Sequence, residues 1–183
     1  VRTLPRRVLR YAGMAAAVVL VFLGGYFAAT QTLAPEKEVT LLTAKGHVGE
    51  FTLPDGTKVW LNGESRLKYN AEFSGRTRDV ALTGEAFFEV RKDTLRPFRV
   101  SMNDLQVEVL GTSFDAMNYA FGSSEEVVLK TGSVKISGEH LRSPVTLRPD
   151  ERFSLDRLST RACVEKVDAR NYSQWFSPRL IFD

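Results

Sequence analysis

The chain of 183 residues has one cysteine, Cys163, and two histidines, His47 and His140. A lone cysteine excludes an intrachain disulfide and a Cys-cluster zinc site, and two histidines leave little for a multi-histidine metal centre. Neither histidine sits beside a nucleophile elbow: Gly111-Thr112-Ser113-Phe114-Asp115 lacks the closing glycine of G-x-S-x-G. Both read as solvated loop residues. Cys163 alternates with charged neighbours and is expected to be a small strand residue facing inward.

Acidic residues are missing from the first 30 positions, which carry Arg2, Arg6, Arg7 and Arg10. The chain's net charge of +3 comes from there, because the remaining 153 residues hold 21 basic and 22 acidic side chains. A nucleic-acid-binding domain needs its positive charge on the folded face that meets the phosphates, so no nucleic-acid partner is expected. Charge of either sign is missing from Tyr11 to Pro35. A run of about 20 apolar residues matches a helix crossing a hydrocarbon layer of roughly 30 Å. Tyr11 and Tyr26 lie near its ends, where amphipathic rings favour the interface. The arginines place residues 1–10 as a cytoplasmic stub, residues 11–30 as a transmembrane helix and the rest across the membrane. A cleaved signal peptide would have a shorter apolar region, of about 7–15 residues.

Helical periodicity is missing after residue 36. Short alternating segments succeed one another, divided by Gly, Pro, Asn or Asp, and predict about a dozen strands. Pro54-Asp55-Gly56 is a turn signal, and Asn62-Gly63 is the favoured dipeptide of a type I′ hairpin. Only Ala169 to Phe176 reads as a short helix. The expected fold is all-β, with stacked antiparallel layers in a β-sandwich or β-helix-like module. Residues 31–44 read as a juxtamembrane linker, 45–160 as the β domain and 161–183 as a C-terminal extension. An internal echo pairs Pro54-Asp55 with Pro149-Asp150, and VALTGEA at 80–86 with VLKTGSV at 128–134. Repetition of this kind points to stacked β layers.

Candidate chemistry is sparse. Glu85 and Glu89 share a strand face about 13 Å apart at roughly 3.3 Å per residue, too far for paired carboxylates in glycoside hydrolysis. They read as solvated strand charges or turn partners, and Glu125-Glu126 as loop residues. Trp60, Phe87, Phe88, Phe98, Phe114 and Phe121 read as core, with a sugar-binding platform as the alternative. Neither catalysis nor a cofactor or metal is expected.

The ordered strings LPDGTKVWLN (53–62), SRLKY (65–69), RDVALTGEAFFEV (78–90), RPFRV (96–100), VLGTSF (109–114), VLKTGSV (128–134) and LRPDE (147–151) resemble the FecR family. The resemblance implies a single-pass inner-membrane regulator of an extracytoplasmic-function sigma factor, with its C-terminal part periplasmic. It implies a sigma-binding segment N-terminal to the stretch present here and a further domain after Asp183. It also implies a β domain that receives a signal from the signalling domain of an outer-membrane TonB-dependent transporter. The motif positions Asp55, Gly56, Leu61, Asn62, Gly84, Glu85, Phe88, Pro97, Phe98, Gly111, Thr112 and Gly132 are expected to have structural jobs, with Gly84 and Gly132 allowing a bend or a close backbone approach. A membrane-anchored glycan- or cell-wall-binding module is the competing reading.

Overall fold

The computed structural model describes residues 15–27 and 37–176. The chain divides into two compact units, Val1–Glu36 and Lys37–Asp183. In the first unit, residues 15–27 are helical. The expected span at 11–30 extends past them on both sides, outside the described residues, as does the basic stub at 1–10. Among the described residues, no helix is long and apolar enough to cross a membrane.

The second unit is a two-layer β structure whose layers share one strand. That strand, β5 (Arg78–Glu89), has 12 residues. In layer one its first half is flanked by β4 (Arg66–Asn70) and β6 (Phe98–Ser101). The layer is completed by β1 (Glu38–Leu42) beyond β4, and by β7 (Leu105–Val109), β10 (Val134–Gly138) and β11 (Val145–Leu147) beyond β6. In layer two the second half of β5 lies between β3 (Lys58–Leu61) and β8 (Ser113–Asn118). Here β2 (Gly49–Thr52) flanks β3, while β9 (Ser124–Thr131), β12 (Glu151–Asp156) and β13 (Ala162–Lys166) lie in turn beyond β8.

Strand alternation decides what lies between the layers. On β5, Arg78, Val80, Leu82, Ala86 and Phe88 are buried, whereas Asp79, Ala81, Thr83 and Glu89 are exposed. Inward residues of both layers form one core, including Leu67, Val100, Val107 and Ile136 from layer one and Val59, Leu61, Val127 and Leu155 from layer two. Phe88 stacks on Phe114 with centroids 5.1 Å apart and meets Phe98 of the opposite layer at 5.9 Å.

The passage of β5 between layers occurs at Gly84, where φ is +101°. A Cβ there would lie 2.6 Å from Ser65 Cβ and 2.7 Å from Ser65 Cα, with Ser65 Oγ nearer still. Gly132 has the same role where the chain leaves β9 for β10: its φ is +91°, and a Cβ would approach Thr112 Oγ1 to 2.9 Å. The VALTGEA and VLKTGSV strings are thus equivalent in structure, each placing glycine where the chain changes layer. The Pro-Asp pair is not equivalent. Pro54-Asp55 closes the β2–β3 hairpin, and Pro149-Asp150 carries the chain from β11 to β12.

Folding at Gly84 has a second result. The end of β5 returns towards the level of its start, so the chain re-enters layer one beside Arg78, and Phe98 pairs with Arg78. β6 therefore runs parallel to β5, an exception to the expected antiparallel pairing. The returning ends are joined by Arg78, whose side chain is 1% exposed. Its Nη1 donates to Asp55 Oδ2 at 2.6 Å and to the Arg91 carbonyl at 3.0 Å, and its Nε donates to the Arg96 carbonyl at 2.9 Å. Its guanidinium carbon lies 5.4 Å from the Phe98 ring centroid. Asp55 also accepts from Thr57 N and Thr57 Oγ1.

Several local expectations are corrected. β1 begins inside the stretch read as linker, because Leu41 packs against the core. Asn62-Gly63 is not a hairpin: β3 and β4 pair with successive parts of β5, not with each other. A type I′ turn needs positive φ at both central residues, and here it is Glu64, at φ 57°, that turns left-handed. Glu125 and Glu126 lie in β9, not in a loop. Cys163 is exposed because β13 is an edge strand exposed along its whole length, and its partner Ser154 lies on the outward parity of β12. Phe121, at the β8–β9 turn, is fully exposed.

Two substitutions test this frame. Gly84→Val adds a side chain at positive φ and into Ser65, and should lower unfolding free energy by about 2–5 kcal/mol in denaturant melts. Asp55→Ala leaves the Arg78 guanidinium buried without its counter-charge and should cost about 3–5 kcal/mol by the same measurement.

Candidate functional site

The outward face of layer two is set by the strand parity opposite to the core. Trp60 of β3, Glu85 and Phe87 of β5, Asp115 of β8, Glu126, Val128 and Lys130 of β9, and Arg152 of β12 share it. Such a face normally meets water, yet Phe87, Asp115 and Val128 are buried. The chain's own C-terminal segment covers them. Val167 N donates to the Asp150 carbonyl, and Ala169 N to Asp150 Oδ1 at 3.2 Å. A 3-10 helix, Ala169–Ser173, comes next, with Asp168 as its N-cap. Hydrogen bonds from the Arg170 guanidinium and backbone N–H hold the Asp168 carboxyl down at about 2. Lys130 Nζ reaches Ser173 Oγ at 3.3 Å and lies 5.3 Å from the Phe87 ring centroid. Arg152 bonds Tyr172, Glu126 and Glu165.

The segment ends on an aromatic contact. Phe176 stacks on Trp60 at 4.7 Å with rings 21° apart, and lies 4.8 Å from Phe87. Trp175 meets Phe176 edge-on at 5.1 Å. Aromatic pairs of this kind add about 0.5–1.5 kcal/mol each beyond burial.

Beneath the aromatics lies a group of acids. Burial pushes the Asp115 carboxyl well above its ordinary value, and the negative charges of Glu85 and Glu126 push it further. The Trp175 indole beside it offsets part of this rise. Even so, Asp115 Oδ1 and Trp175 Nε1 are both buried outside hydrogen-bonding geometry. Burial also raises Glu85, opposed by the bond from Asn62 Nδ2 at 2.7 Å. Glu85 is therefore half-buried and bonded to Asn62, which fits the turn-partner reading and not the solvated charge. On this face an aromatic side chain is gripped between Trp60 and Phe87 over an acid that favours its protonated form. The arrangement suits the docking of a peptide segment.

The motif residues gather at three places. Asn62, Gly84 and Glu85 meet at the β5 corner, where Asn62 N donates to the Glu85 carbonyl and Thr43 Oγ1 to the Asn62 carbonyl. Gly111, Thr112 and Gly132 meet at a second corner, where Thr112 Oγ1 donates to the Ser133 carbonyl at 3.1 Å. Asp55, Pro97 and Phe98 surround Arg78, whose backbone N–H donates to the Pro97 carbonyl, and Gly56 lies against the Arg91 side chain. Leu61 and Phe88 are core. Sequence reasoning missed Arg78 and Asp115. Arg78 had a signal, since it falls on the inward parity of Arg-x-Val-x-Leu. Asp115 had none, because the segment that buries it is about 60 residues away in the chain.

Known proteins decide the family. The model of the FecR protein family matches residues 39–135, more than half of the chain. The chain belongs to the FecR family. Two crystal structures of a candidate anti-sigma factor from Parabacteroides distasonis ATCC 8503, at 2.50 Å and 1.65 Å resolution, share this FecR protein's fold with a TM-score of 0.74. Each is 31% identical to it. They cover 80% and 79% of this chain, which spans 68% of theirs. No curated protein matches it.

The raised Asp115 predicts a pH dependence. A carboxyl that is protonated more readily when folded contributes stability fully present below its ordinary value of 3.8 and lost as pH rises towards the folded value. Melting temperatures of Asp115→Asn and the parent should be close near pH 4. The variant should gain on the parent as pH rises to 8.

Proposed function

We propose that this chain is an anti-sigma factor that carries a signal across the inner membrane to an extracytoplasmic-function sigma factor. The observation that carries this reading is the FecR match over 39–135, joined to the likeness to the Parabacteroides protein over 80% of the chain. The uncharged, apolar sequence at 11–30 supports a single membrane anchor, and the four arginines before it support a periplasmic β domain. The sigma factor binds through a segment N-terminal to the stretch present here. The β domain receives the signal from the signalling domain of a TonB-dependent transporter.

The two-layer module works in this scheme as a docking platform. Its layer-two edge strand, β13, is exposed along its whole length and pairs on one side with β12, which suits addition of a partner strand. The glycan-binding alternative needs an open aromatic platform. Phe87, Phe88, Phe98 and Phe114 are buried and Trp60 lies under Phe176, so Phe121 is the exposed member of that set.

Topology and partner are tested together in the natural host. Alkaline phosphatase fused after Phe176 should be active and β-galactosidase at the same point inactive. Deleting the gene should change transcription from one sigma-dependent promoter set. Reversed fusion activities would overturn the membrane reading, and unchanged transcription the anti-sigma reading.

A further inference from the structure

The Arg78 clasp opens onto a cleft of about 520 Å³ that no part of the proposed signalling scheme uses. Arg78, Arg91, Lys92 and Arg96 line it, with Asp55 and Asp93 as the acids. Both acids are engaged: Asp55 with Arg78 and Thr57, and Asp93 with Arg96 and the backbone N–H groups of Leu95 and Arg96. The Arg91 and Lys92 side chains have no acidic partner among the described residues. Among the described residues the Arg91 side chain reaches only a backbone carbonyl, that of Asp55, at 3.3 Å. Arg78 also lines the cleft, and its Nη2 is buried with no acceptor among the described residues.

A buried guanidinium N–H without an acceptor is costly, and a guanidinium fork matches the oxygen pair of a carboxylate or phosphate. The excess positive charge disfavours a metal cation. Leu95, 89% exposed at the rim, offers contact to an apolar portion of an organic ligand. We propose that this cleft is an oxyanion-binding site, in which Arg91 and Lys92 capture a carboxylate or phosphate group and Arg78 Nη2 donates to it.

The test uses the full chain in detergent micelles at constant ionic strength. Melting temperature is followed while chloride is replaced by acetate, glutarate or inorganic phosphate. A saturating rise with one of these oxyanions is expected, and which one produces it assigns carboxylate or phosphate. The Arg91→Ala/Lys92→Ala pair should weaken that binding by about tenfold or more, since each lost charge-assisted bond is worth about that factor, while its melting temperature in chloride stays near the parent's. Lys92→Glu is a second variant at an exposed side chain and should abolish the rise. The proposal is overturned if no oxyanion raises melting above chloride, or if the rise persists unchanged in both variants.

Discussion

Arg78 is the residue on which the two-layer arrangement turns. Its charge sits on the inward face of the shared strand, where solvation is lost. Only a fold that brings Asp55 and two backbone carbonyls of other segments to that point can keep it there. The hairpin turn of layer two, the return loop after β5 and the start of β6 therefore converge on one guanidinium. Gly84 makes the convergence possible, since a strand that kept straight would hold its two ends far apart. Bend and clasp belong together, one at each end of the folded strand.

The same alternation that builds the core leaves layer two with a second, half-apolar face. Residues 167–176 cover it, so the module's outer surface and the path of its C-terminal chain are one feature. Phe176 is held by Trp60 and Phe87, and Asp115 is buried under the same segment without an ion-pair partner among the described residues. A docked segment that encloses an uncompensated acid is held less firmly than one over an apolar floor.

Much of the fold was legible from local pattern. Strand alternation predicted about a dozen strands after residue 36, where the described residues form 13, and the ordered strings from 53–62 to 147–151 carried the family resemblance. The glycines at 84 and 132 could be read as bends because each ends a Val-x-x-Thr strand segment. Asn62-Gly63 was misread for a definite reason: the dipeptide's turn preference is local, but its neighbours pair with a third strand. Cys163 was placed on the wrong face because charged neighbours on an edge strand do not show which side meets the core. Asp115 was silent, because nothing near it in the chain forecasts the residues that bury it.

Composition and periodicity alone determined that the stretch after residue 36 is all-β and that the positive charge excess precedes an apolar run, while the ordered motif strings carried the resemblance to the FecR family. These are properties of neighbouring residues, and sequence records neighbours. The folding of β5 over itself, the parallel β6, the Arg78–Asp55 clasp with its cleft, and the covered outer face were decided only in the tertiary structure. Each depends on contacts between segments far apart in the chain, where burial turns an ordinary arginine or aspartate into a constraint on the whole module.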